Sequence, residues 1–399
     1  MRKLDELDEI ITEYEKGRVN RRTFIKKTLG MGLTLSSIYA FLSADKNFVK
    51  SAFAQTPPPG KAATFTYCYT TQWMGSWASM YMRQKELWKN YLPAGSKIEW
   101  DVQVYGAHIV NTLLAGKAQI GTLGDMPTFV STTKRDVADL RAVSVNLFSD
   151  SGQICSYLLV RSDAPQFKTK EEAIQWLDGK KIGVGGKGSC GDKFVTYLVS
   201  KAKIKPEIQY LDPTIVKTNL QAKKIDAAHS WQPHAAQIEH QGYGRLLFTG
   251  NLWGAQDGSY NVMRKDFIDS YPEAAKGHLK CEIVGWQIAM KDPYEFVRTI
   301  AVELPGFTTK DIWMALYGQN PAHTGSSGPK VTVQMVFDKM VMDSIADGYK
   351  FLQSKGAVTV DKPLPGAIYT ELIDEVVKEM KIKAPLGPIK VYPPSEFKA

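Results

Sequence analysis

Ala115-Gly-Lys-Ala-Gln-Ile-Gly-Thr-Leu-Gly-Asp-Met-Pro127 and Ala222-Lys-Lys-Ile-Asp-Ala-Ala-His-Ser-Trp-Gln-Pro233 are two versions of one pattern. In each, an amphipathic helical run (110–114 and 216–220) ends in a lysine-containing turn of small residues. A short apolar strand follows, then Gly or Trp and a Pro suited to the first turn of a helix. This sets a helix N-terminus at the carboxyl end of a strand, twice. In open α/β sheets ligands bind there, because the strand ends leave a crevice toward which the orphan N–H groups and the dipole of the helix point. Two such mouths predict two similar lobes facing each other across a clamp.

Working outward, the length of 399 residues, with 44% hydrophobic and 11% aromatic content, suits a globular chain of two or three domains. The formal charge is +9, part of it carried by the first 54 residues, and no Arg-rich or aromatic-interleaved basic stretch points to nucleic acid. Those 54 residues read as an export address. Asn20-Arg-Arg-Thr-Phe-Ile-Lys26 resembles the twin-arginine signal, an apolar run at 29–42 is too short for a membrane span, and Ala52-Phe53-Ala54 has the small-x-small form of a cleavage site. Mature protein is expected from Gln55, exported to the periplasm by the twin-arginine translocase.

Strands are predicted at 63–69, 97–104, 141–147, 157–160, 181–184, 225–228, 245–248 and 260–264, and helices at 170–177 and 192–202. The segment from 272 onward reads as largely helical. Lobe 1 is expected to hold 62–156 and 261–399, and lobe 2 to hold 157–260. The turn 185–191, Gly-Gly-Lys-Gly-Ser-Cys-Gly, is a second anion cradle, but without the Walker spacing of a nucleotide site.

Gln72 and Trp73 lie in the first strand-to-helix loop, where an amide can bond an oxyanion and an indole can cover an organic tail. Gly124 permits close backbone approach; Asp125 either bonds a polar ligand group or caps the next helix. A carboxylate there would repel an anion, so the charge of the ligand stays open. Gly188 and Ser189 are candidate donors from lobe 2, Ser189 being equally suited to cap a helix. Trp231 opens the mouth of lobe 2, and Trp253 and Asp257 sit where the chain returns to lobe 1, at ligand or hinge. His229, His234 and His240 lack the spacing of a metal-binding set, no nucleophile elbow is present, and no cofactor is expected. Cys68, Cys155, Cys190 and Cys281 form no CxxC and read mostly as small buried residues.

Tyr105-Gly-Ala107, Gly124-Asp-Met-Pro127, Lys187-Gly-Ser189, Trp231-Gln-Pro233 and Arg264-Lys-Asp-Phe267, in that order between residues 65 and 355, resemble the substrate-binding proteins of ABC importers for sulfonates, taurine and nitrate. The resemblance implies a two-lobed periplasmic binding protein of type II: two open α/β lobes, joined by crossover strands, that close on a ligand in the cleft. It also implies a small organic anion such as a sulfonate as ligand, no catalysis, and delivery to a membrane permease with its ATPase. Related synthases of a thiamine pyrimidine precursor carry a cysteine-rich cluster that is absent here. The alternatives are an exported enzyme or a ligand-presenting sensor module on the same scaffold.

Overall fold

Twelve β-strands in two separate sheets carry the chain in a computed structural model that describes residues 10, 13, 18–30 and 55–397. The expected processing site at 52–54 lies outside the described residues, while Arg21 opens a helix, Arg21–Gly30. No described helix is long and apolar enough to cross a membrane.

The first sheet has seven strands in the order β12-β11-β4-β10-β3-β1-β2: β1 (Thr64–Tyr69), β2 (Lys97–Val102), β3 (Ile120–Gly124), β4 (Leu140–Ser149), β10 (Asp257–Arg264), β11 (Thr332–Met335) and β12 (Gly387–Pro388). β1 pairs in parallel with β2 and β3, and β10 runs antiparallel between β3 and β4. The second sheet has five strands in the order β7-β6-β8-β5-β9: β5 (Tyr157–Arg161), β6 (Lys181–Gly185), β7 (Glu207–Leu211), β8 (Ala227–Ser230) and β9 (Gly244–Thr249). The chain passes between the sheets twice, at 150–156 and at 250–256.

Parallel strands covered on both faces are buried on both, so β3, β6 and β8 are short, apolar and rich in small residues. A Cβ on Gly121 would reach 2.7 Å from Ile109 on the covering helix, and one on Gly183 the same distance from Ile225 in the turn before β8; neighbours can lie that close only over glycine. The helices Gly106–Leu114 and Pro213–Gln221 bury Val110, Leu113, Val216 and Leu220 against these strands. The period-two run at 97–104 ends as a strand at Val102. β2 is an edge strand, and Val102 and Val104 stay 46% and 60% exposed. Two strands, β11 and the edge strand β12, interrupt the helices expected after 272, and the return strand β10 begins at Asp257, three residues before the expected 260.

Candidate functional site

The carboxyl ends of β3, β6 and β8 point into one cleft between the sheets, a cavity of about 560 Å³. At the first mouth, β3 passes directly into the helix Asp125–Thr132, with Gly124 as its cap. At the second, the turn after β6 leads into the helix Cys190–Ala202, with the Ser189 Oγ accepting from the Asp192 N–H as an N-cap. At the third, Trp231, Gln232 and Pro233 separate β8 from the helix His234–His240.

Trp73, Gly124, Asp125, Gly188, Ser189 and Trp231 line the cavity together. The Trp73 indole lies over Gly75, where a Cβ would overlap the ring, and ends 3.6 Å from where a Cβ on Gly124 would stand. Gly75 makes room for the indole, a reason for its presence that the pattern alone did not reveal, whereas a side chain at Gly124 would meet the ring only at ordinary contact distance. Trp231 is half-buried, edge-on to His234, and its Nε1–H donates across the cleft to the Gln72 carbonyl oxygen at 3.0 Å. Gln72 therefore offers its backbone to the partner lobe and does not line the cavity. Trp253 also stays outside the lining. It ends a short turn, Gly250–Trp253, and packs on the core of the second lobe, with Lys170 and Lys201 over its ring at 5.9 and 5.7 Å.

Asp257 opens β10 and sits behind the wall, outside the lining. Its carboxylate accepts from the Cys155 N–H at 2.7 Å and from the Ile154 N–H at 3.3 Å, which ties the start of β10 to the first crossover. Burial, together with the nearby Asp125, pushes its pKa up to about 8. Asp125 is 2% exposed. Its donors are backbone N–H groups, that of Met126 reaching Oδ1 at 2.8 Å, and no side chain among the described residues hydrogen-bonds it. Burial raises its pKa to about 6, partly offset by the Lys193 ammonium.

Lys193 itself is buried and held by Asp347 of the opposite lobe at 2.6 Å, and the Tyr197 hydroxyl donates to the same carboxylate at 3.2 Å. On the other side of the cleft the Met74 N–H donates to the Gln232 carbonyl oxygen at 3.0 Å. The lobes are thus joined across the cleft on two sides, an arrangement with the lobes together.

Sequence reading did not bring Cys155 and Cys190 together. Both line the cavity, and the neighbouring Cys190 thiol together with burial pushes the Cys155 pKa well above that of an ordinary thiol. His229 is fully buried beside Gly191, both ring nitrogens lack a hydrogen-bond partner among the described residues, and burial lowers its pKa to about 3. No group of three or more His, Cys, Asp or Glu with the geometry to hold a metal occurs among the described residues.

A profile of the NMT1-like family matches residues 56–287, more than half of the chain. The taurine-binding periplasmic protein of Escherichia coli (strain K12) is 28% identical over 206 residues, which cover 50% of this chain and 60% of that protein. The chain thus spans less than two thirds of that relative. Among solved structures, the alkanesulfonate-binding protein of Xanthomonas axonopodis pv. citri bound to MOPS aligns with a TM-score of 0.62 at 18% identity, over 78% of this chain and 99% of that one. The periplasmic nitrate-binding protein of Synechocystis PCC 6803 aligns at 0.64 and 13% identity, over 82% and 91%. A desulfurization enzyme aligns at 0.58 and 13%, over 80% and 99%. At these identities the structures speak for the fold: two lobes of the periplasmic binding-protein type.

Proposed function

The chain belongs to the NMT1-like family, and on that premise we propose that it is an extracytoplasmic solute-binding protein that closes on a small organic molecule and hands it to an ABC permease and its ATPase. The observation that carries this reading is the cavity of about 560 Å³, walled by helix N-termini from both lobes and within the range of small-molecule sites. The names of the relatives add taurine, alkanesulfonates and nitrate as candidate ligands. Ligand contacts are assigned to Trp73, Gly124, Asp125, Gly188, Ser189 and Trp231; Gln72 and Asp257 act at the interlobe contact and the hinge.

Binding without turnover is the preferred reading even though one structural neighbour is an enzyme. A nucleophile needs a base within hydrogen-bond reach. The Ser189 hydroxyl instead donates to the Gly185 and Gly186 carbonyl oxygens at 2.5 and 2.7 Å. The Cys155 and Cys190 thiols are pushed toward the protonated form, and no described hydrogen bond joins His229 to either.

The test is a thermal-shift screen of sulfonates, taurine, nitrate, aromatic carboxylates and neutral ring compounds. A ligand at about 100 times its dissociation constant adds about 2.7 kcal/mol of stability, several degrees in a domain of ordinary size. Ligand-free behaviour with the whole panel, together with turnover of any member, would replace this reading with the enzyme. Export by the twin-arginine route and processing after Ala54 are part of the proposal; Arg21→Lys with Arg22→Lys should hold the precursor in the cytoplasm, as cell fractionation would reveal.

A further inference from the structure

The cavity walls differ in kind from a site built for a bare oxyanion. Most of its surface is apolar, with Trp73, Ile109, Leu123, Val130, Leu211 and Trp231 among its walls, and an ion of four atoms would leave most of about 560 Å³ unfilled. Among the described residues no arginine lines it, and the one lysine that does, Lys187, is solvent-exposed in the turn after β6. The nearest buried cation, Lys193, is engaged by Asp347. What the cavity does hold is a carboxylate. Asp125 is nearly fully buried, lines the space, and is hydrogen-bonded by backbone alone.

An ionised carboxylate in a desolvated wall must find donors or be neutralised, and a permanently anionic ligand beside it meets repulsion that water cannot screen. In the facing wall the Gly188 N–H is taken by Asp192 at 2.8 Å and the Ser189 hydroxyl by the Gly185 and Gly186 carbonyl oxygens, which leaves the backbone N–H groups of Ser189 and Cys190, at the start of the helix, as donors on the lobe opposite Asp125. A molecule with an acceptor at one end and a donor at the other satisfies both, while its body rests against the apolar wall that Trp73 and Trp231 share.

We infer that the cleft selects an organic molecule with an apolar body about the size of an aromatic ring, whose polar end donates a hydrogen bond to Asp125 and which carries no net negative charge. This deepens the solute-binding reading and rests on it. Asp125 then acts as a specificity-determining residue.

The experiment is calorimetric titration of the full-length protein with five probes: 2-phenylethylamine, phenylacetamide, 2-phenylethanesulfonate, taurine and nitrate. The amine and the amide should bind at least 10-fold more tightly than the sulfonate of the same body, and more tightly than taurine or nitrate. Asp125→Asn, close in shape and checked for an unchanged melting temperature, should lose at least 10-fold for the amine and narrow the gap to the sulfonate. Amine affinity should also fall as pH drops through about 6, where Asp125 takes up its proton in the field of Lys193, Asp347, Asp257, Tyr260 and Cys190. If Asp125→Asn fails to fold, this pH profile in the unaltered protein decides.

Tighter binding of the sulfonate, taurine or nitrate overturns the inference and leaves the solute-binding reading standing. So does an amine-to-sulfonate ratio unmoved by Asp125→Asn, and so does failure of all five probes to bind. The solute-binding reading falls separately, if no compound in the wider screen stabilises the protein.

Discussion

The two lobes present the same strand-to-helix architecture to the cleft and opposite chemistry. On the first, Gly124 leads straight into Asp125, so the helix begins with a buried carboxylate, and a second carboxylate, Asp257, lies behind it. On the second, the turn after β6 offers backbone N–H groups and a capped serine, and β8 ends in an indole. The copy of the repeat on the first lobe thus brings a buried carboxylate to the cleft, the copy on the second brings an indole, and the turn after β6, outside the repeat, brings a helix N-terminus.

Asp257 tests the acidic side with the largest expected effect. An unfolded aspartate ionises near pH 3.9, whereas the folded Asp257 holds its proton up to about 8, so between these values the native state binds the extra proton and stability falls as pH rises. Asp257→Asn lacks this loss. Relative to the unaltered protein it should gain on the order of 3 kcal/mol between pH 5 and pH 8 in denaturant titrations. A difference that stays flat would mean that Asp257 is already ionised in the fold.

Trp231→Ala tests the opposite wall. It should weaken ligand binding by about 1–3 kcal/mol with little change in melting temperature, because the indole is only half-buried, at the margin of the core, and its Nε1–H bonds across the cleft to Gln72. Were the indole core instead, truncation would cost about 3–5 kcal/mol of stability and alter affinity only indirectly. Melting and titration of the same variant separate the two.

Asp347→Asn sharpens the comparison at the rim. The carboxylate is half-exposed but faces a buried Lys193, so its neutralisation should cost about 1 kcal/mol of the closed form, seen as a several-fold weaker affinity carried by a faster off-rate. An unchanged off-rate would remove this pair from closure. Ser189→Ala should have the smallest effect. Loss of the cap costs about 0.5–1 kcal/mol of stability, and an equal fall in affinity would follow only if the hydroxyl itself reached the ligand.

Much of this was legible in the chain. The paired segments at 115–127 and 222–233 were enough to locate both mouths, because small residues must follow wherever a helix packs closely on a strand. The partners of each mouth were not legible. Nothing local to Trp73 says that Gly75 clears space for its ring, and nothing in 185–191 says that Cys190 meets Cys155. Trp253 and Gln72 stood at plausible loop positions, yet a side chain's direction is set by the lobe it packs on: Trp253 turns to its own core and Gln72 lends only a carbonyl. β7, with Glu207 and Gln209, escaped prediction because an edge strand with one solvated face needs little apolar content.

Closure of two lobes on a ligand is the claim on which the rest depends, and small-angle X-ray scattering measures it. With the tightest binder from the screen at saturation, the radius of gyration should fall relative to the ligand-free protein, and Asp347→Asn should need more ligand for the same compaction. A radius of gyration that stays the same with the site calorimetrically full would contradict a hinged clamp.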